Sequence, residues 1–242
     1  EPGLTIDFAS SLELSVKGSI TGTPLLTAGP VTIGGTAQFA LTRSTTDVDT
    51  DGISGADLLG ARLDQMALTL TDASVNVESV ADLSVSGTMA LARVTADGDM
   101  TARYTALRMD QVTVSASTAA ASDFGLSGVL TIGGLNYNDY DNTVSGLQRL
   151  DWSTAFDLDA NGEPDLLNPG ADLPGEPDLT IDFASSLELS VKGSVTGNGF
   201  YDPDPMTMGD ELTAVLIRAG PVRISGTAQF ALTRSTTDVD TD

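Results

Sequence analysis

The sequence predicts an all-β protein: an antiparallel β-sandwich or β-roll with long alternating strands and Asp-rich loops, arranged as a tandem repeat. Three observations carry this. Apolar and polar residues alternate over long stretches. The acidic residues are 27 Asp against only 7 Glu, a bias toward turns and away from helices. Two blocks of the chain recur almost letter for letter.

From 4 to 20 the even positions Leu4, Ile6, Phe8, Leu12, Leu14, Val16 and Ile20 are apolar, and most odd positions are Thr, Asp, Ser, Glu or Lys. A period of two marks a strand. In 31–41 the odd set Val31, Ile33, Ala37, Phe39 and Leu41 points one way and Thr32, Thr36 and Gln38 the other. Met66, Leu68 and Leu70, then Val85, Met89 and Leu91, then Val112 and Val114 continue the pattern. Such alternation predicts one wet and one buried face, hence antiparallel sheets whose apolar faces pack together. Ser10, Gly18, Gly35 and Gly87 are expected bulge sites. A short helix is expected over Gly55–Leu63, and "ELTAVLIR" (211–218) is expected to extend a strand or form another. Trp152, the only Trp, follows Leu147 and Leu150 and is expected in the core.

The block 1–20 returns at 176–195, with only Gly3/Asp178 and Ile20/Val195 differing. The block 28–51 returns at 219–242, with only Thr32/Arg223 and Gly34/Ser225 differing. Folding alone does not demand such identity, because cores accept many sequences. Recent duplication of a whole unit does. The expected organisation is a β-rich repeat unit over 1–162, a Pro/Gly/Asp linker over 163–178, and the opening strands of a second, partial repeat over 179–242 with a 16-residue loop insertion. The stop inside a copied block suggests an excerpt, or a tail completed by a neighbouring copy.

The formal net charge is −23, so nucleic acid and anionic surfaces are poor partners and cations good ones. The chain has no His and no Cys, which removes imidazole bases, thiol nucleophiles, disulfides and most zinc ligation. No run of apolar residues is long enough for a transmembrane helix. A carboxylate-pair glycan hydrolase is the remaining enzymatic option, but no activated group stands out, and the chain is expected not to be an enzyme.

The Asp-rich loops carry the chemistry. In "DLDANGEPD" (157–165), Asp157, Asp159 and Asn161 offer oxygens at positions one, three and five. Gly162 follows at six, then Glu163, and Asp165 stands at nine. Calcium takes six to eight such oxygens, and the glycine permits the sharp turn. In "DVDTDGISGAD" (47–57), Asp47, Asp49 and Asp51 precede Gly52, with the Ile53 carbonyl next and Asp57 at eleven. The second copy supplies Asp238, Asp240 and Asp242. "NYNDYDN" (136–142) and "ADGDM" (96–100) are read as hairpin loops.

The D-x-D-x-D/N-G spacing resembles the calcium loops of EF-hand, dockerin and thrombospondin type 3 repeats, without an EF-hand's flanking helices. The near-identical repeat and acidic composition resemble bacterial surface proteins built from tandem β-domains. "GLTIDF", followed later by "LTIGGLNYNDYDN", is similar to secreted, pilus-associated β-rich proteins of Gram-negative bacteria. That resemblance implies a secreted or cell-surface filament or adhesin shaft, stiffened by Ca2+. Separately, the partial second copy ends after its opening strands, which are expected to complete the sheet of a neighbouring copy by strand addition, so the expected partner is the chain itself. The alternative expectation is a cell-envelope β-module whose apolar face holds lipid or another hydrophobic ligand.

Overall fold

The structure is a computed structural model and describes residues 10–28, 31–53, 55–77, 81–118, 124–197, 215–219 and 222–236. Six long strands come first: β1 (Leu12–Ala28), β2 (Val31–Val48), β3 (Leu58–Val77), β4 (Ala81–Thr95), β5 (Tyr104–Thr118) and β6 (Phe124–Tyr140). After an irregular segment come β7 (Leu187–Gly197), β8 (Val215–Ala219), β9 (Val222–Ser225) and β10 (Thr227–Ser235). All pairings are antiparallel. The sheet runs β1-β2-β3-β4-β5-β6-β7-β10, with β8 on the far end of β6 and β9 on β8. The all-β class and long strands are as the sequence predicts. Closure into a sandwich or roll is not: the described strands form one open sheet. Gly55–Leu63 holds no helix, since β3 already begins at Leu58.

What covers one face of this sheet is the segment 141–186, irregular except for one 3-10 turn at Pro169–Asp172. It brings Leu150, Trp152, Phe156, Leu167, Leu173, Leu179, Ile181 and Phe183 into the core. The sheet answers mostly with small residues. Ala40, Ala67 and Ala90 are register partners across β2, β3 and β4, and all three are buried. Large residues of the segment and mostly small ones of the sheet make up one core cluster. The expected linker, 163–178, contributes to the core: Leu167, Pro169, Gly170 and Leu173 are buried, while most of its other residues are exposed. Its Pro and Gly shape a turn against the sheet; they do not separate two bodies.

The larger apolar residues occupy the other face. Phe39, Leu68, Met89, Met109, Leu135 and Val191 form one unbroken row across β2 to β7. None belongs to the core, and at the sheet edges Val16, Ile20 and Leu232 are openly exposed. The alternation is as expected, but the buried face is the alanine face. The covering segment, not strand hydropathy, decides which side is dry.

Gly35 and Gly87 lie at bulges, as expected, each as the single residue opposite a strand that carries one extra, with Asp72 (φ 49°) and Gln111 (φ 50°) in the left-handed region there. Gly35 (φ 122°) sits against Asp72–Ala73, and Gly87 (φ 146°) against Gln111–Val112. Gly18 is not a bulge; it pairs regularly with Phe39, whose ring lies over it. Ser10 precedes β1. A Cβ at Gly87 would stand 2.6 Å from the Val112 Cα. Gly87→Ala is therefore expected to cost roughly 2–4 kcal/mol, from backbone collision and unfavourable φ together. Urea unfolding checks this.

The second copy continues the first sheet. β7 repeats the residues of β1, and β10 repeats part of β2. Gly193 pairs with Phe230 and Thr196 with Thr227, as Gly18 pairs with Phe39 and Thr21 with Thr36. The Thr–Thr hydroxyl contact is 3.1 Å in both hairpins. The other edge of β7 is taken by β6.

Candidate functional site

Both Asp-rich loops lie at the same end of the sheet. The first joins β2 to β3; the second lies within the covering segment, just after the buried Trp152 and Phe156. The backbone N–H of Asp49 donates to the Ala155 carbonyl (3.0 Å), tying one loop to the other. Residues of both, among them Asp49, Gly52, Asp157 and Gly162, line one cleft of about 660 Å³.

Two triads form. Carboxylate oxygens of Asp49, Asp51 and Asp57 lie within 4.8 Å of one another, and so do those of Asp157, Asp159 and Asp165. The two share one spacing: i, i+2, i+8. They also share one closure. Asp57 Oδ2 accepts from the Thr50 N–H (2.8 Å), and Asp165 Oδ2 accepts from the Leu158 N–H (2.6 Å). In each, the third Asp ties back to the residue after the first. The first Asp in turn holds a glycine N–H: Asp49 takes Gly52 (2.8 Å) and Asp157 takes Gly162 (2.9 Å). Converging carboxylates repel unless donors or a cation offset them, and each triad could hold a metal ion.

This geometry shifts the register read from the sequence. Aligning both loops on their glycines made Asp47 the first ligand and left Asp57 out of step at position eleven. In the structure Asp49 is first, and Asp57 falls at nine, as Asp165 does. Asp47 turns away and caps the Gly60 N–H (2.7 Å). Ile53 is 70% exposed and donates its N–H to Asp51. Asn161 Oδ1 is occupied by the Glu163 N–H (2.7 Å), and Glu163 itself is exposed and outside the triad. The repeated i, i+2, i+8 spacing was present in the sequence and is the signal that finds both triads. Asp238, Asp240 and Asp242 lie outside the described residues.

A further polar residue escaped the sequence reading. "NYNDYDN" is no hairpin loop; β6 runs through Tyr140. "ADGDM" does lie between strands, joining β4 to β5. Asn138, fully buried in β6, accepts from the Trp152 indole N–H (2.9 Å) and donates to the carbonyls of Leu150 (3.0 Å) and Ala184 (3.2 Å). It fastens the sheet to both ends of the covering segment.

The Asp57 carboxyl is held below the usual range by the Thr50 backbone N–H and then by the Thr50 hydroxyl. Asp141 and Asp178 are lowered likewise, first by the hydroxyls of Thr143 and Thr180. A lowered folded-state value contributes stability that is complete above the unfolded Asp value of about 3.9 and is lost as pH falls through the folded value. Stability is therefore expected to fall as pH drops below about 4. In Asp57→Asn the stability lost between neutral pH and pH 3 should be smaller, as circular dichroism at graded pH would show.

Comparison with protein-family models, with curated proteins and with solved structures finds no match. The resemblance to surface filament proteins therefore stands on the quoted motifs alone.

Proposed function

We propose that this chain is a structural unit of a secreted bacterial filament or surface adhesin, in which one sheet runs on from unit to unit and calcium rigidifies the Asp loops. The observation that carries this reading is the second copy's opening hairpin, β7–β10, which joins β6 and keeps the register of β1–β2. Duplication of this kind adds strands to a sheet; it does not string separate beads. Copies associate by strand addition, with β1 of one chain taking the place of β7 beside β6 of another. β1 and β7 present nearly the same residues to β6, so the exchange is close to neutral and concentration drives it.

The chain has no Cys, so introduced cysteines report contacts without background. Thr131 pairs with Ser194, whose counterpart in β1 is Ser19. Within one chain β1 and β6 are five strand spacings apart, about 24 Å. Mixed Ser19→Cys and Thr131→Cys chains are expected to form a concentration-dependent disulfide heterodimer. Random cross-linking, or none, would reject strand addition. For calcium, saturation at about 100 times Kd adds roughly 2.7 kcal/mol, and Tm rises by roughly 5–10 °C. No Tm change on adding EGTA, together with no calcium by elemental analysis, would remove the ion from the proposal.

A further inference from the structure

The face opposite the covering segment is apolar over most of its area. Four rows cross it, from Val16 and Leu41 at one end to Val85 and Val114 at the other. Eight strands at about 4.8 Å spacing, and four rows at about 6.8 Å, give a patch of roughly 34 by 20 Å. That is about 700 Å² on one chain, beyond the few hundred Å² that a monomer ordinarily exposes.

We propose that this face is the docking surface for a second copy of the same chain, packed face to face. The two open sheets then form the sandwich that the alternation predicts, with its halves on different molecules. Three observations favour a second copy. First, two such patches bury about 1,400 Å², within the range of stable interfaces. Second, aligned packing of two like-twisted sheets is the ordinary way an antiparallel sheet covers an apolar face, and a two-fold pair matches the patch with itself. Third, the charge is elsewhere. In a chain of net charge −23, the ends of these rows carry Arg43, Arg62 and Arg93 beside Glu13, Asp64 and Asp139, so the charges there balance three against three. The triads sit on the loops, outside this face. An anionic bilayer would meet the whole acidic chain.

This interface uses a face, not an edge, and does not rest on the filament reading. Sedimentation equilibrium of the full chain tests it, with Leu68→Glu as the variant. Leu68 lies mid-row outside the core, so the fold should survive; unchanged circular dichroism verifies that. The wild type is expected to be a dimer, and Leu68→Glu to weaken dimerisation by about 100-fold, because each copy then buries an unpaired carboxylate. In a Met89→Cys chain the thiol should react with a maleimide when dilute and be protected when concentrated. A wild type that stays monomeric overturns the proposal. So does a Leu68→Glu chain that dimerises equally well, which assigns association to the strand edges. Binding of the monomer to phosphatidylcholine vesicles, with Met89→Cys protected there, overturns it in favour of a lipid.

Discussion

Ending the chain after Gly175 is expected to unfold it, whereas ending it after Ser186 is not. The sequence places 163–178 in a linker and 179–242 in a second, partial unit, which makes the earlier cut look harmless. Yet Leu179, Ile181 and Phe183 are buried at 0%, 0% and 3% exposure among the residues of the first. Each contributes about 1.5–3 kcal/mol by burial, so the three together approach the whole stability of a typical domain. The same cut removes the Phe183 carbonyl that accepts from the Trp152 N–H (2.8 Å) and the Ile181 N–H that donates to Leu167 (2.8 Å). Trp152 is the sole Trp and fully buried, so its fluorescence reports on this core alone. Chain 1–186 should show the blue-shifted emission of a buried indole; chain 1–175 should show that of an exposed one. Equal spectra and equal urea midpoints would refute this account of the repeat boundary.

Asn138→Leu is expected to cost about 2–6 kcal/mol, although the replacement is similar in size and more apolar. The loss leaves two buried partners, the Trp152 indole N–H and the Leu150 carbonyl, without Asn138; the Ala184 carbonyl is at an exposed residue and still accepts from the Leu187 N–H (3.0 Å). Each unmet buried group costs about 1–3 kcal/mol. Tm should fall by roughly 10–20 °C. A double-mutant cycle sharpens the test. Trp152→Phe removes the indole N–H, so Asn138→Leu should cost less in that background than in the wild type. Strict additivity would show that the Asn138–Trp152 bond carries no energy.

The strands were legible because side chains on a strand must alternate, and the positions of Gly35 and Gly87 showed where they bend. The identity of the buried face was not legible. Ala40, Ala67 and Ala90 are less hydrophobic than Phe39, Leu68 and Met89, yet they lie in the core because a bulky segment needs small partners beneath it. That segment has no period: it buries Leu167 and Leu173 through a 3-10 turn and irregular backbone, so its Pro, Gly and Asp read as a linker. Asn138 misled in the same way. Asparagine belongs in turns unless distant carbonyls satisfy it, and those carbonyls are remote in sequence. The loops were legible as Asp-rich but misregistered, because glycine looked like the fixed point when the closing Asp was.

The covering segment also has a mechanical consequence. Ladder hydrogen bonds lie across the strands, so tension along the direction of sheet growth meets them head on and would part the strands one at a time. The segment runs in that same direction. Asp172 reaches Lys17 (3.4 Å) of β1, the Thr180 carbonyl takes Arg108 (2.6 Å) of β5, and Arg149 grips Glu188 (2.8 Å) of β7. It is a transverse tie, and parting any two strands beneath it also strains the core that it anchors.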